Sequence, residues 1–395
     1  MKKEIYLDNA ATTPVDQTVL RKMVPYFFQK YGNPSSIHQA GDWARQGVEK
    51  ARQQIADFFG CSPQEIYFTA GATESDNWII QGITQKASQS GLTKLHLIVS
   101  AFEHKAILEP AQALEKKGLI ELSLLPINQE GLVEPKEAEK AIKKNTALVS
   151  IMYANSEIGT IQSISRIGQI IGKLNQGRNN RIVFHTDAVQ AINYLDCRVD
   201  YLGVDALSLS GHKIYGPKGI GALYLRKGTP ISSLIRGGGH EQGLRSGTEN
   251  VPGIVGLGEA INLVAKKQKQ GLVNKIKRLR NKLITGVLRD IPDVQLNGSL
   301  EHRLPNNANF SFLGAEGEGI IMDLSQKGIY ASTGSACASH SLEPSHVLLA
   351  LGLSHEQAHA SVRFTLGRQS TEKEIDYLLK VLPGIVARLR KISGR

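Results

Sequence analysis

Lys213 lies in Ser208-Leu209-Ser210-Gly211-His212-Lys213-Ile214-Tyr215-Gly216-Pro217-Lys218-Gly219. A single lysine, approached through Ser-x-His and followed by a glycine-rich turn, is a candidate for covalent attachment of a carbonyl compound. Upstream, His185-Thr186-Asp187-Ala188-Val189-Gln190 puts an acid at the end of an apolar run. Far downstream, a lone cysteine, Cys337, lies in Ser332-Thr333-Gly334-Ser335-Ala336-Cys337-Ala338-Ser339. A lysine that forms a Schiff base and an acid that holds a pyridinium nitrogen are what pyridoxal phosphate (PLP) requires of its protein. Together the three residues suggest PLP chemistry that ends on a thiol.

Other residues extend this pattern. Gly71-Ala72-Thr73-Glu74-Ser75 falls between an expected strand and an expected helix. Backbone N–H groups at a helix start, with a threonine hydroxyl, suit a phosphate. The same residues also read as an ordinary cap, Thr73 capping and Asp76 completing a box. Ser210 and His212 could donate to the same phosphate. Gln190 could reach a ring oxygen, and Asp187 could instead cap the next helix. His104, after a strand, could stack on a cofactor ring and move protons, or simply be packed. Arg363 sits mid-strand among apolar neighbours and calls for a carboxylate, either of a substrate or of the protein. The small residues around Cys337 offer little to pack, which suits a thiol that must reach a substrate and then a partner. Cys61 and Cys197 read as inert. The stretch Gly237 to Thr248 is too glycine-rich for a regular element and reads as a shaped loop near a ligand or subunit contact.

The elements that position these residues follow from periodicity. The chain has 395 residues, enough for two domains. Strand and helix patterns alternate from about residue 35 to residue 225. Strands are expected at 65–69, 95–100, 120–126, 147–153, 181–186, 206–210 and 221–226, the last two neighbouring one another. Helices are expected at 36–59, 72–85, 106–117, 137–143 and 163–174. Continuous apolar strands favour a mostly parallel sheet covered on both faces, an α/β domain. After about Gly258 a long basic helix, 259–289, opens a smaller α+β domain. Strand 5–7 fits either part.

Composition narrows the class. No apolar run approaches the ~20 residues that span a bilayer, and the first residues do not read as a signal peptide. Three scattered cysteines give neither a disulfide framework nor metal-ligand spacing. A reducing, cytoplasmic setting is expected. The net charge of +11 raises a nucleic-acid reading. The excess is dispersed over helix faces such as Lys266 to Lys282, so direct nucleic-acid or membrane binding is not expected.

The residues resemble the cysteine desulfurases, in the class V aminotransferase branch of fold-type-I PLP enzymes. The likeness runs through Tyr6-Leu7-Asp8-Asn9-Ala10-Ala11-Thr12-Thr13, Gly32-Asn33-Pro34-Ser35-Ser36 with His38, and Phe68-Thr69-Ala70-Gly71-Ala72-Thr73-Glu74-Ser75. It continues through Glu103-His104, Asn155 with Glu157-Ile158-Gly159, and the Asp187, Lys213, Thr248 and Cys337 stretches. Ser341-Leu342-Glu343-Pro344-Ser345 after Cys337 is similar to the group with a long catalytic loop. The resemblance implies a large domain over 14–258 with a mostly parallel seven-stranded sheet. It implies a small domain from 1–13 and 259–395 carrying the Cys337 loop, about 328–345. It implies that Lys213 holds PLP, that His104 stacks on the ring, and that Asp187 and Gln190 tune it. Ala72, Thr73, Ser210 and His212 would bind the phosphate, with Thr248 entering from the other subunit of a homodimer. Asn33, Asn155 and Arg363 would hold the L-cysteine substrate, and Cys337 would take its sulfur. A sulfur-acceptor protein would follow, either an iron–sulfur scaffold or a thiolation enzyme. A selenocysteine lyase or another PLP β-lyase would share much of this pattern. Three departures stand out. Ser156 and Asp76 each replace a common Asn, and His240-Glu241-Gln242 varies the usual Gln-Glu-Arg. The chain also ends at Arg395, without the extension that docks the scaffold in housekeeping members.

Overall fold

The computed structural model describes residues 4–89, 94–334 and 343–394. Its strands are β1 Ile5–Tyr6, β2 Ile66–Thr69, β3 Leu95–Ser100, β4 Ile120–Leu125, β5 Thr146–Ser150 and β6 Val183–Asp187. They continue with β7 Ala206–Ser210, β8 Gly221–Leu225, β9 Val294–Leu296, β10 Asn307–Phe312, β11 Ile329–Tyr330 and β12 Ser361–Thr365.

Seven strands form one sheet in the order β2-β8-β7-β6-β5-β3-β4. All neighbours are parallel except where β8 pairs with β7 and β2. Both faces are covered. Leu97 and Val99 of β3 pack with Trp78, Ile79 and Ile107, whereas Ile98 packs with Ile55, Phe59 and Phe184 on the opposite face. Each such buried side chain contributes about 1.5–3 kcal/mol. Because β2, β3, β5, β6 and β7 run the same way, their carboxyl ends share one edge. The segments beginning at Ala70, Ala101, Ile151, Ala188 and Gly211 all leave from it, the edge where such sheets bind ligands.

Helix Gln39–Phe59 starts three residues later than the periodicity predicts. His38, extended at φ −90°, accepts from Gly41 N–H and so sets the first turn. The helix ends at Gly60, left-handed at φ 68°, as expected.

The single basic helix expected at 259–289 is two helices, Val251–Lys269 and Leu272–Asp290. Gly271, left-handed at φ 76°, separates them. The first packs Ile254, Leu257, Ile261 and Val264 into the large-sheet core. The second packs Ile276, Leu279 and Leu283 into a separate core with Phe310, Phe364 and Leu378. The change of core therefore falls at Gln270–Gly271. The second core carries an antiparallel sheet, β12-β10-β9, and the parallel pair β1-β11. Ile5 and Leu7 belong to it, which answers the question left open for the first strand. Among the described residues, no helix is long and apolar enough to cross a membrane.

Candidate active site

At the carboxyl edge of the large sheet opens a cavity of about 880 Å³. Its walls come from residues 10–12, the 70–74 turn, His104, Asp187, Gln190, the 210–213 turn and Arg363. These are far apart in sequence; the common strand direction gathers those of the large sheet, while residues 10–12 and Arg363 come from the amino-terminal segment and the antiparallel sheet of the second core.

Lys213 closes a short turn, Gly211–Lys213, between β7 and β8. Its Nζ donates to Ala10 O at 2.6 Å and to Ala11 O at 2.7 Å. Thr13 straps the same turn, donating from Oγ1 to His212 O and accepting from Tyr215 N–H, both at 2.8 Å. Tyr215 is left-handed at φ 66°. The amino-terminal segment thus holds the lysine in place.

Asp187 ends β6, and its Oδ1 accepts from Val189 N–H at 2.9 Å. A turn follows, so the alternative role as a helix cap does not apply. Burial pushes the carboxyl up from its ordinary range, while the Val189 N–H, His104 and Lys213 pull it back. A buried acid with so little compensation fits a cationic ring nitrogen.

His104 caps helix Lys105–Lys116, its Nδ1 accepting from Ala106 N–H at 3.1 Å. That bond assigns the proton of the neutral ring to Nε2. Burial lowers its affinity for a second proton.

Helix Ala72–Gln89 opens on the cavity wall. Its first backbone bonds run from Glu74 and Ser75 N–H to Gly71 O. The N–H groups of Ala72 and Thr73 therefore lie outside the helical ladder, as an anion site needs. Thr73 is inside the first turn and is not the cap. Asp76 does not complete a box either, since it is buried at 1% exposure. Gly221 permits this arrangement. A Cβ there would lie 2.7 Å from Gly71 Cα and 2.6 Å from Leu209 O.

Ser210, His212 and Gln190 also line the cavity. Gln190 Nε2 donates to Ala10 O at 3.1 Å. His212 Nδ1 is 3.1 Å from Thr12 Oγ1, and burial pulls its pKa down to about 4. Arg363 takes the protein's own carboxylate, with Nη2 donating to Asp8 Oδ1 at 2.7 Å and Nη1 to Ser156 O at 3.1 Å. Its Nε has no partner although the side chain is 2% exposed.

Three expected residues lie elsewhere. Asn155 is buried off the cavity, accepting from Glu157 and Ile158 N–H and donating to Phe102 O. Asn33 is exposed, and its Oδ1 accepts from Ser35 N–H. Thr248 is exposed on a second hollow with Glu241 and Arg245, which shares Ala70 and Gly219 with the first. Cys337 lies outside the described residues. Burial raises the thiols of the other two cysteines, Cys61 to about 12 and Cys197 further, so neither is a ready nucleophile.

Several residues of the site escaped the sequence reading. Ala10 and Ala11 act through backbone carbonyls, which have no sequence signature. Asp76 and Glu103 are buried acids near Asp187. In the sequence, Asp76 reads only as a capping-box partner and as a departure from a common Asn, and Glu103 only as the neighbour of His104.

The family model for class-V aminotransferases matches residues 5–378. The chain therefore belongs to the class-V aminotransferase family. Within it, the chain is 47% identical over its whole length to a cysteine desulfurase IscS of Clostridium botulinum (strain Hall), covering 97% of that protein. It is 49% identical to a cysteine desulfurase IscS of Dictyoglomus turgidum, again over 100% of this chain and 97% of the relative. Among solved structures, a NifS-like protein superposes with a TM-score of 0.89 at 40% identity, covering 98% of this chain and all of that one. A structure described as SspA in complex with cysteine superposes at 0.80 with 37% identity, covering 93% of this chain and all of that one.

Proposed function

We propose that this chain is a PLP-dependent cysteine desulfurase that converts L-cysteine to L-alanine and leaves the sulfur on Cys337 as a persulfide. The observation that carries this reading is the convergence of the Lys213 amine and the Asp187 carboxyl on one cavity, with Arg363 in its wall.

The residues fit the cofactor. Lys213 offers an amine for a carbonyl, Asp187 a buried acid for a ring nitrogen, and Ala72 and Thr73 a helix start for a phosphate. Ser210 and His212 add polar groups beside that start. When bound, PLP supplies an electron-poor ring that makes the substrate's C–S bond labile. The protein then does the rest. Arg363, in the cavity wall, attracts the substrate carboxylate. Lys213 and His104 Nε2 hold and move protons at the substrate carbons. The Cys337 thiolate forms an S–S bond as the substrate's C–S bond breaks, the carbon gains a proton, and alanine leaves. Atoms balance, because one thiol and one cysteine give one persulfide and one alanine.

The active form is a homodimer in this reading. Leu20, Val24, Phe27, Phe28, Tyr31, Ile37 and Trp43 expose apolar surface along one stretch of chain, with Ile37 99% exposed. Such a patch calls for a protein partner, and a second copy is the economical one. Thr248 would then complete the partner's phosphate site. Asn155 and Asn33 would act near the substrate, Asn155 by fixing the 155–158 turn that carries Ser156 O under Arg363. The persulfide would pass in the cytoplasm to an acceptor for iron–sulfur assembly or thiolation of tRNA or a cofactor.

The test is alanine release from L-cysteine, with a reductant to clear the persulfide, for wild type and Cys337→Ser. Turnover lost in the variant supports the reading. Equal alanine from both would make the chain a β-lyase that does not use Cys337. No alanine from either, with PLP bound, would overturn the assignment.

A further inference from the structure

From the wall of the cavity, where Asp76 is one of the lining residues, a chain of polar groups that the reaction above does not use runs into the sheet. Asp76 enters it from helix Ala72–Gln89 at 1% exposure, and its Oδ1 has no hydrogen-bond partner. That oxygen is 3.7 Å from Nε2 of His185, which is itself fully enclosed on β6. His185 Nε2 is 3.0 Å from Ser208 Oγ on β7, and its Nδ1 is 2.9 Å from Ser150 Oγ on β5. Ser208 also hydrogen-bonds the Asp76 carboxyl. The four side chains make one chain, Asp76–Ser208–His185–Ser150. Asp187 is two residues from His185 on the same strand, and its register partner on β7 is Ser208.

This chain can be filled with protons in two ways. In one, His185 Nε2–H donates to Ser208, Ser208 donates to Asp76, and Asp76 is a carboxylate. In the other, Asp76 is the neutral acid and donates to Ser208. Ser208 then donates to His185 Nε2, and Nδ1–H of His185 points to Ser150. The surroundings decide between them. The groups that face Asp76 are His185 and Asp187 from β6, Ser208 from β7 and, further off, Glu103 from the turn after β3. None of these is a cation next to it. A second carboxylate beside Asp187, unsolvated and without an ion-pair partner, is the costlier arrangement.

We propose that Asp76 is a positioning residue held as the neutral acid, the proton donor at the head of the Ser208–His185–Ser150 chain, so that Asp187 is the only charged carboxylate beneath the ring site. Burial acts in the same direction on both ends of the chain. It raises Asp76 well above its ordinary range and lowers His185 to about 3. The consequence for catalysis rests on the PLP reading: a ring nitrogen bound to Asp187 meets one negative charge, and the chain orders the strand ends that hold it. The proton assignment itself does not rest on that reading and can be tested without cofactor.

The experiment is an infrared difference spectrum between wild type and Asp76→Asn, at about neutral pH, on the protein as purified and again after cofactor removal. A protonated-acid carbonyl band present in wild type and lost in the variant is the expected result. Loss of a carboxylate band in its place overturns the proposal. A second readout needs no variant at Asp76. In wild-type protein with ¹⁵N-labelled histidine, His185, assigned through its backbone amide, is expected to carry its proton on Nδ1 with Nε2 as acceptor. An Nε2–H tautomer makes Asp76 the terminal acceptor and overturns the proposal even if Asp76→Asn fails to fold. A purely structural role for Asp76 would not fix this tautomer. In the loaded enzyme, the midpoint proton concentration of the cofactor absorbance titration in Asp76→Asn is expected within about twofold of wild type. A shift of about tenfold or more would mean that a charge had been removed.

Discussion

Lys213 and Glu103 show how far single side chains can be argued. Lys213 Nζ is pinned by the carbonyls of Ala10 and Ala11, so the amine is oriented before any ligand arrives. Lys213→Ala is expected to lose borohydride-dependent fixation of the cofactor to the protein and to slow alanine release by about 100-fold or more. A variant that still fixes cofactor would move the attachment point elsewhere. Glu103 is fully buried, accepts from Met152 N–H at 2.7 Å and from the Ser100 hydroxyl, and leaves Oε2 without a partner. Burial pushes its pKa up to about 8 from the ordinary 4.5. Between those values the unfolded chain has lost a proton that the folded chain still holds. Stability therefore falls as pH rises through this window, and the loss is complete above about 8. Glu103→Gln keeps both accepted bonds and is expected to flatten that part of the curve, as read by denaturant unfolding at several pH values. An unchanged slope would show that Glu103 ionises normally.

At the scale of elements, the glycine-rich loop is the informative piece. It is neither a floppy connection nor a regular element. Arg52 of helix Gln39–Phe59 donates to both oxygens of Glu241, at 3.0 and 2.8 Å, and Glu241 Oε2 also accepts from Phe68 N–H at 2.9 Å. Arg52 stacks on the Phe68 ring as well. Glu241 and Gln242 are left-handed at φ 50° and 57°, a strained pair that this bidentate contact holds. One buried ion pair thus ties the loop to a helix and to β2, just before the 70–74 turn. Glu241→Ala removes the buried bidentate partner of Arg52, leaving it Ile66 O and the exposed Glu49 carboxylate, and is expected to cost about 3–5 kcal/mol in urea unfolding. A loss below about 1 kcal/mol would show that the loop is not anchored there.

At the scale of the whole molecule, the exposed apolar stretch between residues 20 and 43 asks for cover. Replacing Phe27 and Phe28 together with Lys is expected to halve the mass seen in sedimentation and to weaken cofactor binding, because Thr248 would no longer reach a neighbouring site. An unchanged dimer mass would place the contact on another face, and a monomer mass in the wild type would overturn the homodimer reading.

Much of this was legible in the sequence for a definite reason. Strands buried on both faces read as apolar runs, so β3 and β7 fall where the pattern puts them. The glycine end of helix Gln39–Phe59 was legible too, whereas the pattern puts the start of helix Pro135–Ala141 two residues late. The capping role of His38 was not, because histidine caps rarely enough to carry no signal. The break at Gly271 was missed because basic residues on both sides kept the helical pattern unbroken.

By itself the sequence determined the residue types that chemistry needs: a lysine after a strand, an acid at a strand end, a thiol among small residues. Local order and side-chain type are properties of short stretches, so they can be read there. Only the tertiary structure decided which of them meet. Parallel strand direction gathered the ends of five strands on one edge. Packing of the amino-terminal segment and the second core against that edge put the carbonyls of residues 10 and 11 on Lys213 and gave Arg363 an internal carboxylate, and the fold kept Asn155 and Asn33 off the cavity and buried Asp76 and His185 together. Those contacts depend on register and topology between residues far apart in the chain, and no short stretch of sequence records them.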